Sequence, residues 1–426
     1  MKFLRLLTEG LLLLFIFLLP WQTKLIIFAA NNNFNEISLY GSHLVLSLAL
    51  ISFFVYQIRK KREEERVPKI WYFLGIIEVC FFISFFFASD KILATYHFAL
   101  LILGLALFYI LREGLSPAFY ADNIFNRRRA IYAFLISTFF HASLGIYQFF
   151  TQSTFANKYL GLAKHDPQVL GSAVIETVSG RWLRAYGGLD HPNILGGVLV
   201  FSLLLSVFIL ASKKIINSRI QIYGLLLLFV NYFVSLLALF FTFSRASWLA
   251  FFVGLVVLAI TFFRKEDKWI KGRFLTLLLF SLVFFALAFF PYKDLALTRI
   301  KAETRLEVIS TTERKEQLME VKNIIQKNPI FGVGTGNYVT HLETEEIGNN
   351  SYVQPVHNSL LLFLAETGLV SFLALMFFFF FLVRDGRREN FSLALAVSLL
   401  VLMLFEHWFF SLPFGIIFFF FILGII

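Results

Sequence analysis

The sequence is poor in charge and contains a single cysteine. Only 15% of its 426 residues are Asp, Glu, Lys or Arg, against about 25% in an ordinary soluble protein. The hydrophobic fraction is 58%, and so few polar residues cannot cover a water-soluble body of this size. Cys80 is the lone cysteine, which excludes an intramolecular disulfide and a secreted disulfide scaffold. These shortages also exclude a disordered chain, and they indicate an integral membrane protein.

Long apolar stretches predict an all-α polytopic membrane protein with about 12 transmembrane helices. The first stretch follows Lys2 and Arg5, as in a signal peptide, but it resumes at Leu25–Phe28 after Pro20. A cleavable signal would have a short polar segment there, so we predict an uncleaved helix. The predicted spans are 7–28, 38–58, 70–88, 92–111, 130–150, 192–211, 220–241, 246–263, 273–291, 357–383, 391–405 and 407–426.

Lysine and arginine are distributed unevenly between the two sides of these spans. One set of alternate segments carries 23 of the 38 cations, mostly in short loops, and the rest of the chain carries 15. Cytoplasmic loops are the basic ones, so both termini are predicted to be cytoplasmic. The net charge of +11 then reflects topology, and we predict no nucleic-acid partner.

Two long segments are predicted on the outer side, 151–191 and 292–356. Segment 292–356 is a large loop that divides the chain into two parts. Predicted helices one to nine lie in 1–291, and predicted helices ten to twelve lie in 357–426. The cytoplasmic loops are too short for a nucleotide-binding domain, and no Walker sequence is present. The sequence also lacks Asp-Asp or His-x-x-His clusters, so we predict neither a metal site nor a cofactor.

The large outer loop is predicted to contain an amphipathic helix. Ser310 and Glu313 form a capping-box pattern that predicts its start, with Arg314 in the first turn. Asn328-Pro329 predicts its end. The apolar residues at helical spacing are Leu318, Val321, Ile324 and Ile325. The glycine-rich stretch 331–337 lacks the Lys-Ser/Thr of a phosphate loop and is predicted to be a turn.

Several charged residues map to the outer side. Arg245 lies between two apolar stretches, where burial in the membrane is costly, so it faces a polar cavity or anion unless it extends to the headgroups. Arg184, which precedes the turn into the sixth span, is a candidate anion ligand. His357 begins the tenth span, as a base or as an interfacial side chain, and Glu366 is an intramembrane carboxylate. Together these cations suggest a phosphorylated lipid substrate.

The same residues occur in motifs that resemble those of bacterial O-antigen ligases and polymerases. The resemblance covers about residues 180–370, and the twelve-helix layout agrees with it. The motifs are Arg184-x2-Gly187-x3-His191-Pro192-Asn193-x2-Gly196, Ser244-Arg245-Ala246, Arg314 followed by Asn328-Pro329-x2-Gly332-x-Gly334-x-Gly336, and His357-Asn358-x2-Leu361-x4-Glu366-x-Gly368.

The resemblance implies a metal-independent glycosyltransferase that uses a glycan on undecaprenyl diphosphate at the periplasmic face of the bacterial inner membrane. Arg245 and Arg314, with Arg184 as a third contact, would bind the diphosphate. His357 would be the catalytic base or would orient the acceptor. Supporting roles fall to Asn358, Glu366 and Glu406.

The acceptor stays open at this stage. Ligation to lipid A core, a step of lipopolysaccharide biosynthesis, is favoured, with O-antigen polymerisation and protein O-glycosylation as alternatives within the family. A transporter of an anionic lipid or solute is the alternative outside it. That class predicts inverted repeats, and the sequence shows no internal repeat.

Overall fold

The computed structural model describes residues 2–59, 69–114, 127–178, 180–212, 219–301, 303–345, 353–386 and 391–426. Eight of the 23 Lys and Arg residues counted on the predicted cytoplasmic side fall outside the described residues, in segments 60–68, 213–218 and 387–390. The other 15 lie within the described ranges.

The described chain is predominantly helical, and nine of its helices are long and apolar enough to cross a membrane. Two shorter apolar helices lie near the C-terminus. The predicted all-α polytopic membrane fold is confirmed. The helices from the N-terminus to the first outer segment are α1 Lys2–Leu18, α2 Gly41–Arg59, α3 Lys69–Ser84, α4 Lys91–Gly114 and α5 Arg127–Thr151.

The second half of the chain adds the remaining helices. They are α6 Pro192–Ser212, α7 Arg219–Phe241, α8 Arg245–Lys265, α9 Lys268–Phe289, α10 Lys293–Lys301, α11 Arg305–Lys327, α12 Tyr338–Glu345, α13 Ser359–Gly386, α14 Ser392–Phe405, α15 Trp408–Ser411 and α16 Pro413–Ile425. Two small antiparallel hairpins accompany the helices. They pair β1 Lys24–Phe28 with β2 Ile37–Tyr40, and β3 Val174–Thr177 with β4 Gly180–Leu183.

The first predicted span, 7–28, is wrong in its second half. Helix α1 ends at Leu18, and the apolar run that resumes after Pro20 forms strand β1. Proline lacks the N–H that continues a helix, and the isoleucines and phenylalanine of β1 suit an extended strand. The last predicted span, 407–426, is also divided, because Pro413 opens a new helix after the single turn of α15.

The large outer loop contains three helices, α10 to α12. The predicted helix end is confirmed, since α11 stops at Lys327 with Asn328 as its C-cap. The predicted start at Ser310 is wrong: α11 begins at Arg305, after Thr304 in an extended conformation. Arg314 therefore lies well inside the helix and not in its first turn. Glu307 occupies the first turn, where the helix dipole favours a carboxylate.

Hydrogen bonds between helix ends define two opposite faces of the bundle. On one face, Arg127 Nη2 donates to the Ile425 carbonyl at 2.9 Å, and Ser392 Oγ donates to the Ile426 carbonyl at 2.8 Å. At the other ends of the helices, the Ser359 N–H donates to the Glu406 carbonyl at 2.9 Å. The loops that carry the predicted site residues share this second face, which we call the outer face after the topology predicted from the sequence.

Candidate functional site

Arg184 is buried at the outer face, directly after the β3–β4 hairpin. Its side chain is held by two acceptors: Nε donates to the Thr242 carbonyl at 2.6 Å, and Nη2 donates to Asn193 Oδ1 at 2.6 Å. Burial, together with the charge of Arg299, lowers the pKa of Arg184 to about 9. The guanidinium is thus still cationic at neutral pH, and its position is fixed by the ends of α6 and α7.

Arg245 opens α8 immediately after a tight turn. Phe243 has a φ of +46°, a left-handed conformation that reverses the chain between α7 and α8. The Arg245 side chain turns toward the outer loop, where Nη1 donates to the Arg299 carbonyl at 2.8 Å. Nη2 lies 3.3 Å from the Glu307 carboxylate. Arg245 therefore contacts protein groups of the outer loop, which favours the polar-site interpretation over extension to the headgroups.

Glu307 is a buried carboxylate shared by two arginines. It forms ion pairs with Arg245 and with Arg299, the latter also donating from Nε to the Phe243 carbonyl at 3.2 Å. Only 3% of Glu307 is exposed. Neither Arg299 nor Glu307 stands out in the sequence, because both lie in a loop whose fold depends on its packing against α7 and α8.

Arg314 differs from these arginines in lacking a partner. Its Nε is buried and makes no hydrogen bond within the described part of the chain. Burial lowers the pKa of Arg314, although the nearby carboxylate of Glu406 opposes that effect. A buried guanidinium nitrogen without an acceptor is costly, so an anionic ligand is the natural partner for it.

Glu406 lies between α14 and α15, where only 3% of it is exposed. Burial raises the pKa of its carboxyl to about 7, against the opposing effects of Arg314 and of a hydrogen bond from Asn193. We call the following six residues the arginine cluster: Arg184, Arg245, Arg299, Glu307, Arg314 and Glu406. Four guanidinium groups face two carboxylates in it, so the cluster attracts an anion.

His357 lies beside the arginine cluster, between the large loop and α13. Its Nδ1 is 3.0 Å from Gln317 Oε1, and its ring meets that of His407 nearly at right angles with centroids 5.0 Å apart. Burial, and secondarily the charge of Arg314, lowers the pKa of His357 to about 4. The imidazole is therefore neutral at physiological pH, the form that can accept a proton.

The side chains of Asn358 and Glu366 form hydrogen bonds with backbone groups. Asn358 Oδ1 caps α13 by accepting the N–H groups of Leu360 and Leu361, both at 3.0 Å. Glu366 accepts the N–H of Gly336 at 3.0 Å and that of Tyr338 at 3.3 Å. These two of the three predicted supporting residues thus accept hydrogen bonds from backbone N–H groups.

The glycine-rich stretch Phe331–Asn337, here called the glycine loop, is fastened to α13. The N–H of Val333 donates to the Ala365 carbonyl and that of Gly334 to the Glu366 carbonyl, both at 3.0 Å. The backbone N–H groups of Gly332 and Gly336 also donate hydrogen bonds within the protein, so four amides of the loop already have acceptors. The loop forms a turn, as predicted, and does not offer a row of free amides to a phosphate.

The sequence profile of the O-antigen ligase family matches residues 230–376. This region of the chain is O-antigen ligase-like. The resemblance predicted from the motifs is confirmed, and it supports an O-antigen ligase-type membrane glycosyltransferase acting on a lipid-linked or glycan substrate. No curated protein matches the chain.

The O-antigen ligase region contains most of the site but not all of it. Arg245, Arg299, Arg314 and His357 lie within 230–376, whereas Arg184 and Glu406 reach the site from outside it. The sequence motifs do not include Gln317, which contacts His357, and they also miss Arg299 and Glu307. Within the described ranges, no group of three or more His, Cys, Asp or Glu side chains is placed to hold a metal ion.

Proposed function

We propose that the protein is a membrane glycosyltransferase of the O-antigen ligase type. It would transfer a glycan from undecaprenyl diphosphate to an acceptor hydroxyl at the periplasmic face of the bacterial inner membrane, with both termini in the cytoplasm. The observation that carries this proposal is the location of a neutral histidine, His357, beside a group of four arginines that are buried or partly buried. A base next to an anion site is what transfer from a lipid diphosphate requires.

The arginine cluster would bind the diphosphate of the donor. Among the described residues, the buried Nε of Arg314 has no hydrogen-bond partner, and the guanidinium of Arg245 contacts Glu307 and the Arg299 carbonyl. Glu307 occupies the position between Arg245 and Arg299 that a phosphate oxygen could take. The guanidinium groups would stabilise the charge that develops on the leaving diphosphate, which makes their role electrostatic.

His357 would act as the general base. The acceptor hydroxyl oxygen attacks the anomeric carbon of the donor sugar, and its proton passes to the ring of His357. The bond between that carbon and the diphosphate oxygen breaks, and undecaprenyl diphosphate leaves with the electron pair. The negative charge of a bound diphosphate would offset Arg314, so donor binding should raise the pKa of His357 and strengthen it as a base.

We favour lipid A core as the acceptor, so that the reaction is O-antigen ligation. The size of the large outer loop supports this choice, because its helix α11 lies beside His357 through the contact of Gln317 with the His357 ring. A second undecaprenyl-linked repeat unit or a protein Ser/Thr hydroxyl would use the same arginines and the same base. The acceptor therefore has to be determined by direct competition.

The test is transfer in vitro by the purified full-length protein in lipid nanodiscs. A glycan on undecaprenyl diphosphate is offered with lipid A core, a lipid-linked repeat unit and a Ser/Thr peptide, in parallel and with or without EDTA. We expect transfer to lipid A core at a rate that EDTA does not change. Transfer only to another acceptor would reassign the acceptor, and inhibition reversed by a divalent cation would overturn the metal-independent mechanism.

A transporter would behave differently in a second assay. Proteoliposomes loaded with the same donor are used to follow its movement across the bilayer and, separately, the cleavage of its sugar–phosphate bond. Movement of intact donor, with no transfer to any acceptor, would overturn the proposed enzyme.

A further inference from the structure

We propose that Gln317 is a positioning residue that fixes His357 as its Nδ1–H tautomer and leaves Nε2 as the proton acceptor. This inference rests on the proposed function, in which His357 is the base. It adds a residue that the sequence motifs do not include, and it specifies which ring nitrogen takes the proton.

The two hydrogen bonds between these residues determine the tautomer. The backbone N of His357 lies 3.4 Å from Gln317 Oε1, and Nδ1 lies 3.0 Å from the same atom. A backbone N–H can only donate, so the atom that faces it must be the amide oxygen and not the amide nitrogen. That oxygen can only accept, so Nδ1 must carry the proton that it shares with Gln317.

The other ring nitrogen is left available. Nε2 of His357 makes no hydrogen bond to any described residue and is not among the side-chain atoms buried without a partner. His407 packs edge-to-face against the ring, and its own Nδ1 is engaged with Ser411 Oγ at 2.7 Å. The ring is therefore held on one side by Gln317 and on another by His407.

The position of Gln317 on α11 links the base to the anion site. Gln317 follows Arg314 by three residues, so both side chains lie on the same face of the helix. Gln317 is 8% exposed, and burial of this kind restricts its amide to few orientations. One helix face would thus hold both the diphosphate and the base at a constant separation.

A neutral amide suits this site better than a carboxylate. A glutamate at position 317 could also accept from Nδ1, but its charge would repel the diphosphate and compete for Arg314. It would also favour protonated His357, which cannot act as a base. The amide fixes the tautomer without adding charge, as a third group orients the base in other enzymes.

The experiment compares three variants of the full-length protein in nanodiscs. Gln317→Leu removes the acceptor with little change in volume, and Gln317→Glu keeps an acceptor but adds charge. Gln326→Leu, on the exposed side of the same helix, is the matched control. Each is assayed for transfer as a function of pH, and His357→Ala is run alongside. Carbethoxylation of His357 by diethyl pyrocarbonate, followed by peptide mass spectrometry, reports its titration without requiring activity.

We expect Gln317→Leu to lower kcat by about 10- to 100-fold with little change in KM for the donor, since misorientation loses part of the 10²–10⁴-fold effect of a base. Gln317→Glu should retain more activity than Gln317→Leu. It should also raise the midpoint of His357 carbethoxylation by about one pH unit or more. The other charged or titratable groups near His357 are Arg314, His191 and His407, and they are unchanged in these variants. Gln326→Leu should behave as wild type.

The outcomes separate the two proposals. Wild-type kcat in Gln317→Leu, with His357→Ala inactive, would overturn the positioning role alone. An unchanged carbethoxylation midpoint in Gln317→Glu would also overturn it, whether or not transfer is detected. A fully active His357→Ala, or a wild-type protein that transfers to no acceptor, would instead overturn the proposed function.

Discussion

The arginine cluster and the glycine loop are both polar regions at the outer face, but their hydrogen-bonding groups are satisfied in different ways. In the glycine loop, the Glu366 carboxylate accepts two backbone N–H groups, and the loop amides find carbonyls on α13. In the arginine cluster, Arg245 and Arg299 share the Glu307 carboxylate, and Arg314 Nε has no hydrogen-bond partner among the described residues.

This difference separates residues whose hydrogen bonds are complete within the protein from residues that we propose to bind the donor. A polar group whose hydrogen bonds are complete contributes to stability and has no capacity left for a substrate. A polar cluster with unmade hydrogen bonds lowers the free energy of unfolding relative to one whose hydrogen bonds are all made. A ligand that supplies the missing acceptors can restore that free energy. Changes in the arginine cluster and at His357 should therefore affect turnover, whereas changes in the glycine loop should affect folding.

The largest expected effect is at the base. His357→Ala should lower transfer by about 10²- to 10⁴-fold, the usual contribution of a general base, while the protein stays folded. Initial rates and thermal unfolding of the purified variant check both parts. Substantial transfer by a folded His357→Ala would place His357 with the scaffold residues.

Arg245→Lys should have the next largest effect. Lysine keeps the charge but cannot contact the Arg299 carbonyl and Glu307 together, as the planar guanidinium does, so we expect about a 10- to 100-fold loss of kcat. Arg305→Lys is the matched control, because Arg305 at the start of α11 pairs with Glu176 of β3 and its side chain is 66% exposed. Equal rates in the two variants would remove Arg245 from the anion site.

A smaller effect is expected in the pH dependence. The pKa of His357 is lowered to about 4, so its neutral form persists well below the usual histidine range and is lost only as the pH falls through that value. The acid limb of kcat/KM, which reports the free enzyme, should lie below 6.5. The acid limb of kcat should lie higher, because bound diphosphate offsets Arg314. An acid limb of kcat/KM at or above the usual histidine value would contradict this.

Glu366→Gln should change turnover least. The glutamine amide can accept only one of the two N–H groups of Gly336 and Tyr338 and presents its own donors to the other, which should cost about 1–3 kcal/mol of stability. The melting temperature should fall while kcat of the folded protein stays close to wild type. Glu316→Gln, exposed on α11, is the control. A large loss of kcat without a change in melting temperature would move Glu366 into the active site.

Sequence patterns located the outer-face arginines and His357 because charge at the end of an apolar span is conspicuous. They did not identify Arg299, Glu307 or Gln317, whose surroundings in sequence are ordinary for a polar loop. These three acquire their contacts only when α10 and α11 pack over the ends of α7, α8 and α13. Long-range packing of this kind leaves no local periodicity to detect.

The start of α11 and the end of α1 show a related difficulty. Ser310 and Glu313 satisfy a capping pattern but lie inside the helix, because nothing in the preceding residues prevents an earlier start at Arg305. The apolar run 7–28 has enough length to span a membrane, yet Pro20 divides it into a helix and a strand. Hydropathy measures how apolar a segment is and does not specify its backbone conformation.

The break in α13 at Gly368 has a mechanical consequence. Its φ of +78° interrupts the helix, and a Cβ there would lie 1.9 Å from the Ile330 carbonyl oxygen. The N–H of Leu369 instead donates to the Pro329 carbonyl at 2.9 Å, just beyond α11. In a continuous helix the N–H of Leu369 would bond within α13. Because the helix is interrupted, this N–H instead connects α13 to the residue pair that follows α11. A displacement of α13 would therefore be transmitted to α11, and the separation between His357 and Arg314 would be preserved.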